Sequence, residues 1–131
     1  MESIKQICKK LGIKKYTINP DLSVDVDSSV NISNKDLTEI PIVFNKVSAY
    51  FDCSGNKLTT LEGCPRYVGK WFNCSSNQLT SLDYSPNYVG GKFICDEKTV
   101  GIKFDKNIIP DYNNYIILYR RKLVLEQLFK Q

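Results

Sequence analysis

Residues 51–61 read FDCSGNKLTTL and residues 72–82 read FNCSSNQLTSL, so the same skeleton returns after 21 positions. Both segments carry apolar residues at the first, third, eighth and eleventh places and an asparagine at the sixth. The spacing extends in both directions, from Val26 to Val100. Self-similarity at a fixed period is typical of solenoids, in which successive coils stack on one another.

Five apolar columns keep this register. They are Val26, Val47, Val68 and Val89; Val30, Phe51, Phe72 and Phe93; Ile32, Cys53, Cys74 and Cys95; Leu37, Leu58, Leu79 and Val100; and Ile40, Leu61 and Leu82. Because strand side chains alternate, each Phe-x-Cys pair predicts a short strand with both residues facing inward. Asn56 and Asn77 follow where the chain must turn, and an amide can satisfy buried backbone donors and acceptors there. Lys35 and Lys98 hold this position in the outer coils, which are therefore expected to turn differently.

The 131 residues are predicted to form a single domain with three parts. Residues 1–25 form an N-terminal cap, with an amphipathic helix from Met1 to Gly12 and a β-hairpin turning at residues 19–21. Residues 26–100 are the repeats. Residues 101–131 form a C-terminal cap, in which Ile102 and Phe104 alternate like a last strand. A helix then begins after Asp111, the expected N-cap.

The C-terminal helix is predicted to run from Tyr112 to Phe129, a stretch without glycine or proline. It is more apolar than a free surface helix. One broad face carries its large apolar residues, which are Ile117, Leu118, Val124, Leu125, Leu128 and Phe129. We expect this helix to lie across the last coil, and part of it to offer a contact for a homodimer.

The run of residues 25–82 resembles short leucine-rich repeat proteins common in bacteriophage genomes. The matching pieces are the Cys-Ser-x-Asn-x-Leu-Thr-x-Leu units at 53–61 and 74–82, the Pro-x-x-Val-Gly returns at 65–69 and 86–90, and the segment 16–19 before the hairpin. The resemblance implies an α/β repeat fold, a leucine-rich-repeat solenoid with a short parallel sheet of about four coils. It also implies binding to other macromolecules without catalytic residues. For a phage protein, it implies inhibition or redirection of a host protein such as a defence enzyme.

Enzymatic chemistry is not expected. The chain has no histidine, which excludes Ser-His and Cys-His pairs and every histidine-dependent metal site. Asp25 and Asp27 are predicted to point outward on the hairpin, and no other paired carboxylates stand out. Three of the five cysteines share one column, and a straight row of thiols does not surround a tetrahedral ion. We therefore expect reduced core thiols, no metal and no cofactor.

No apolar run approaches the roughly 18 residues of a membrane span, and the N-terminus lacks the features of a signal peptide. The sequence therefore predicts a cytoplasmic protein, in the host cytoplasm if a phage encodes it, with no membrane contact. The net charge is +4. Arg120, Arg121 and Lys122 are consecutive in the basic C-terminal segment, and an alternative function is a nucleic-acid contact made there. The charge is too modest and scattered to favour nucleic acid over a protein partner.

The predicted binding site is the outer side of the repeat strands. Residues that alternate with the inward columns must face outward, and these are Tyr50, Trp71 and Lys92 in one row and Asp52, Asn73 and Ile94 in the next. Large amphipathic aromatics such as Tyr50 and Trp71 are favoured anchors of protein interfaces. The alternative is that the terminal elements fold over this face and cover it. Tyr67 and Tyr88 form a second pair, interpreted as supports of the return loops.

Overall fold

A computed structural model describes residues 2–101 and 104–129 of the chain and shows a β-solenoid of about three turns, with a helix at each end. The helices and strands are α1 (Ile4–Leu11), β1 (Tyr16–Ile18), β2 (Val24–Val26), β3 (Val30–Asn31), β4 (Phe44–Val47), β5 (Phe51–Asp52), β6 (Tyr67–Val68), β7 (Phe72–Asn73), β8 (Tyr88–Val89), β9 (Phe93–Ile94), α2 (Glu97–Val100), a 3₁₀ helix (Asp105–Asn107) and α3 (Tyr112–Leu128).

Each coil contributes two strands rather than one. The first sheet has the order β1-β2-β4-β6-β8 and the second has the order β3-β5-β7-β9. All pairs are parallel except the β1–β2 hairpin. The prediction of a single sheet was therefore wrong, because β6 and β8 occupy segments interpreted as irregular returns. The corner between the sheets explains the glycines: a Cβ on Gly69 would overlap the carbonyl oxygen of Ser48, and one on Gly90 that of Gly69.

The predicted apolar columns form the core. Every member is buried except Leu37 and Val100, which are half-buried at the two ends of their column. The phenylalanine column is a stack, with ring centroids 5.6 Å apart for Phe51 and Phe72 and 5.1 Å apart for Phe72 and Phe93. Tyr112 of α3 continues this stack at 4.0 Å from Phe93. One aromatic ladder therefore joins the repeats to the C-terminal helix.

The asparagine column ties neighbouring coils together, as the sequence predicts. Asn77 Oδ1 accepts from the backbone N–H of Leu58 at 3.0 Å, while its Nδ2 donates to the carbonyls of Cys53 and Cys74 at 3.0 and 3.1 Å. Asn56 makes the equivalent bonds one coil earlier. In the last coil Asp96 accepts from the N–H groups of Ser76 and Asn77, so it partly replaces the missing asparagine.

The predicted N-terminal helix and hairpin are both present, the helix running from Ile4 to Leu11. Ser3 and Gln6 form a capping box at the start of α1, and Gly12 ends the helix in the left-handed region at φ 70°. The hairpin pairs Tyr16 with Val26, and β1 thereby covers the outer edge of the first sheet. The edge of β2 therefore has a partner within the chain, and β1 becomes the outermost strand of this sheet.

The C-terminal cap differs in detail from the prediction. Ile102 lies outside the described residues, and Phe104 is not in a strand. The last pairing is instead an antiparallel bridge between Ile108 and Ile94. Asp111 occupies the N-cap of α3, but its side chain makes no capping hydrogen bond.

The helix α3 is confirmed, but its packing face is not the predicted one. Tyr112 and Ile116 are buried against the last coil, with Tyr115 and Tyr119 half-buried beside them. Asn113 bonds both the N–H and the C=O of Val89, at 2.8 and 2.9 Å, and so takes the place of a further strand. The face predicted from the sequence, from Ile117 round to Phe129, is exposed. No helix in residues 2–101 or 104–129 has the length and apolar character needed to cross a membrane.

Candidate functional site

The six predicted contact residues lie together on the outer side of the second sheet. Asp52, Asn73 and Ile94 are successive partners across β5, β7 and β9, and all three are half-buried. Tyr50, Trp71 and Lys92 stand just before the same strands and form the adjoining row. These six residues are called the outer row site below.

Tyr50 and Trp71 form a close parallel stack. Their ring centroids are 4.2 Å apart and their planes differ by 2°. Both rings are half-buried: each ring packs against the other, and part of each ring remains exposed to solvent. Stacking is worth about 0.5–1.5 kcal/mol beyond the buried area, and it fixes the rings before any partner arrives. A pre-ordered aromatic surface loses little entropy on binding.

The polar residues Asp52 and Asn73 of the outer row site form hydrogen bonds within the chain. Asp52 Oδ1 accepts from the N–H and the hydroxyl of Ser54, at 3.0 and 2.6 Å. Asn73 Oδ1 binds Ser75 in the same way, at 3.0 and 2.7 Å. These local bonds close a turn after each strand. Each side chain therefore has only its other terminal atom available for a partner, and the contact role of Asp52 and Asn73 remains a prediction.

The terminal helix does not cover Tyr50 and Trp71. Its bonds go instead to the end of the first sheet, where Tyr112 donates to the carbonyl of Pro86 at 2.6 Å and Arg120 donates to the carbonyl of Ser85 at 2.8 Å. Lys92 at the end of the first row is exposed. Within residues 2–101 and 104–129, α3 therefore leaves the Tyr50–Trp71 stack partly open to solvent.

The thiols behind the outer row site are inert. Cys53, Cys74 and Cys95 are buried and form no disulfide. Burial raises the pKa of Cys95 to about 12, with a further contribution from the Asp96 carboxylate. The pKa of the Cys74 thiol is also raised far above its usual range, chiefly by burial. A thiol that stays protonated is a poor nucleophile and a poor metal ligand, so this column serves packing.

A second aromatic pair lies on the first sheet. Tyr67 and Tyr88 belong to β6 and β8 rather than to loops, and their rings stack at 5.1 Å. They are 39% and 44% exposed, and the Lys46 ammonium lies 5.1 Å from the Tyr67 ring centroid. The interpretation of this pair as loop supports was therefore wrong. The 21-residue spacing of the pair is visible in the sequence, but the strand is not, because a strand of two residues is too short to show alternation.

The three consecutive basic residues of α3, Arg120, Arg121 and Lys122, make different contacts. Arg120 bonds Asn87 Oδ1 at 2.6 Å in addition to Ser85, which fixes α3 to the last coil. Lys122 lies 4.0 Å from Glu126, and Arg121 is exposed. Only part of the run is therefore available to phosphates, and its consecutive residues do not share one surface.

Among residues 2–101 and 104–129, no group of three or more cysteine, aspartate or glutamate side chains is arranged to hold a metal ion. No protein-family model, curated protein or solved structure matches this chain.

Proposed function

We propose that this chain is a non-enzymatic protein-binding module whose contact surface is the outer row site. The observation that supports it is the Tyr50–Trp71 stack, with rings 4.2 Å apart on the open side of the second sheet. Aromatic side chains in a rigid row make good binding anchors because little conformational entropy is lost when a partner buries them.

The surrounding residues suit a protein partner better than nucleic acid. Lys92 is the one basic member of the outer row site; Ile94 follows two residues later on the same side, and the carboxylate of Asp52 lies two strands away. Such a mixture of aromatic, polar and apolar groups is typical of protein interfaces, whereas phosphate binding needs clustered cations.

The resemblance to bacteriophage leucine-rich repeat proteins extends the proposal. In that setting the module acts in the host cytoplasm and inhibits or redirects a host protein, a defence enzyme being one example. A fold is shared by proteins with many functions, and partner capture from the host is therefore the experiment that identifies the protein bound.

Capture of partners from host lysate, followed by binding measurements with the purified partner, tests the proposal. Trp71 is the only tryptophan, so its fluorescence reports directly on the site. We expect its emission to change on binding. We also expect Trp71→Ala to weaken affinity about thirtyfold, equivalent to roughly 2 kcal/mol.

The matched control is Tyr67→Ala, which removes a stacked tyrosine from the first sheet and should leave binding nearly unchanged. Tyr50→Ala should weaken binding less than Trp71→Ala. Binding that survives loss of both Tyr50 and Trp71 would contradict the proposal. If binding were instead lost on replacing Arg121 and Lys122 and fell steeply with salt, a nucleic-acid contact would take its place.

A further inference from the structure

A cavity of about 430 Å³ lies beside α3, at the edge where the chain enters the strands of the first sheet. Small-molecule sites usually have volumes of about 300–1,000 Å³, so this cavity is large enough for a ligand of modest size. Its lining comes from successive coils and from α3, and includes Val43, Glu62, Arg66, Tyr84, Asn87 and Arg120. None of these residues belongs to the outer row site.

Arg120 brings a half-buried positive charge to this cavity. Its guanidinium donates to Asn87 Oδ1 at 2.6 Å and to the carbonyl of Ser85 at 2.8 Å, so both of these acceptors are neutral. Within residues 2–101 and 104–129, Arg120 forms no ion pair with a carboxylate. A guanidinium has five N–H donors, and the two bonds to Asn87 and Ser85 leave the others for a further acceptor.

Arg66 supplies a second positive charge, because this exposed side chain lines the same cavity. Two carboxylates belong to its surroundings. Glu62 also lines the cavity, and the pKa of Asp21 is lowered by hydrogen bonds from Ser23 and, to a smaller extent, by the charge of Arg66. In the part of the chain that the structure describes, neither carboxylate forms an ion pair with Arg66 or Arg120. The guanidinium groups that line the cavity therefore outnumber its one lining carboxylate.

Tyr84 adds an aromatic ring to the lining, and this residue is 61% exposed. Residues 62–65 (EGCP) and 83–86 (DYSP) are equivalent segments of successive coils, so Tyr84 stands where Gly63 stands one coil earlier. Both backbones are left-handed, with φ 95° at Gly63 and φ 67° at Tyr84. Glycine adopts this conformation freely, whereas a bulky residue is strained in it. The turn therefore does not require a tyrosine, and the ring needs another reason to be there.

We infer that this cavity binds a small organic anion, whose carboxylate or phosphate group is held by Arg66 and Arg120 and whose flat ring packs against Tyr84. A guanidinium matches two oxygens of a carboxylate or a phosphate with parallel N–H donors. A bound anion also gives the half-buried Arg120 an opposite charge. This binding is independent of the outer row site, which lies on the second sheet.

Isothermal titration calorimetry on the full chain, with phenyl phosphate as the probe, tests this inference. We expect a dissociation constant of about 1 mM or below. Inorganic phosphate lacks the ring and should bind about two- to tenfold more weakly, the range expected for the loss of one aromatic stack. Tighter binding of benzoate than of phenyl phosphate would support the site and assign it to carboxylates.

Single substitutions separate a built site from general attraction of anions. Arg66→Gln should weaken phenyl phosphate at least about tenfold, because a charge-assisted hydrogen bond is lost. The matched control is Lys70→Gln, which removes the same charge from an exposed residue outside the cavity lining and should leave binding unchanged. Tyr84→Gly should reduce the affinity for phenyl phosphate to that for inorganic phosphate. The melting temperature of this variant should hold, because glycine suits the left-handed backbone.

Three results would overturn the inference. They are no heat of binding with phenyl phosphate or benzoate at about 10 mM, equal losses in Arg66→Gln and Lys70→Gln, and unchanged binding of both probes by a folded Tyr84→Gly variant.

Discussion

Replacement of Asn77 by alanine tests the link between coils most directly. Asn77 is 5% exposed. In the described structure, the N–H of Leu58 and the C=O of Cys74 each have the Asn77 side chain as their hydrogen-bond partner. The carbonyl of Cys53 also loses a bond but keeps one from Asn56 at 3.0 Å. Asn77→Ala therefore leaves two backbone groups without partners in a nearly dry place.

Each buried group without a partner costs about 1–3 kcal/mol, so the total loss in the free energy of unfolding for the two groups is about 2–6 kcal/mol. Urea denaturation followed by circular dichroism measures it as a fall in midpoint at constant slope. The matched control is Lys98→Ala, at the same repeat position in the last coil. Lys98 is exposed, and Asp96 accepts the bonds there, so the change should stay within about 0.5 kcal/mol.

Asn77→Asp separates hydrogen bonding from size. Aspartate keeps an acceptor for Leu58 but loses the donors and brings a negative charge beside the carbonyls of Cys53 and Cys74. We expect it to destabilise the chain at least as much as alanine at pH 7. Equal, small effects of Asn77→Ala and Lys98→Ala would refute the role assigned to the asparagine column.

Three further changes probe the core, the corner and the buried ionisable groups. Leu79→Ala, at a side chain 2% exposed, should cost about 2–5 kcal/mol by calorimetry, and an unchanged melting curve would contradict the packing. Gly90→Ala should also destabilise, because its Cβ would overlap the carbonyl of Gly69, whereas Gly12→Ser meets no neighbour and tests only the left-handed backbone. Burial raises the pKa of Cys95 to about 12 and that of Tyr112 above its usual range, so the native state holds protons that the unfolded state releases. Stability should therefore be level below about pH 8 and decline above it, and a flat urea midpoint from pH 7 to 10 would contradict this.

The repeat period was the reliable signal in the sequence. Five columns in one register identify which residues face inward, because every coil must bury the same positions against its neighbours. The number of strands in each coil, by contrast, could not be predicted from the sequence. A strand of two residues, such as Tyr67–Val68, carries one inward side chain per coil, and a single apolar column looks the same whether it belongs to a strand or to a turn.

The placement of the outer row site followed from alternation, and the structure brings its six residues together. The internal bonds of Asp52 and Asn73 also correspond to a pattern in the sequence. An Asp or Asn stands two positions before Ser at six places, and at Asp21, Asn31, Asp52 and Asn73 the side-chain oxygen binds that serine, whereas Asp27 and Asp83 do not bind theirs in the described structure. Local side-chain bonds of this kind are a sequence signal for turns rather than for partner contacts.

The packing face of α3 could not be predicted from the pattern of apolar residues. The helix is apolar on two opposite sides, and the larger aliphatic set, including Leu118 and Leu125, faces water. The side that packs contains tyrosines, which bring both ring area and hydroxyl donors to the end of the solenoid. There Tyr112 stacks on Phe93 and satisfies the carbonyl of Pro86, a task that leucine cannot perform. The open carbonyls and the aromatic ladder of the last coil therefore select the tyrosine face, and the aliphatic face stays exposed.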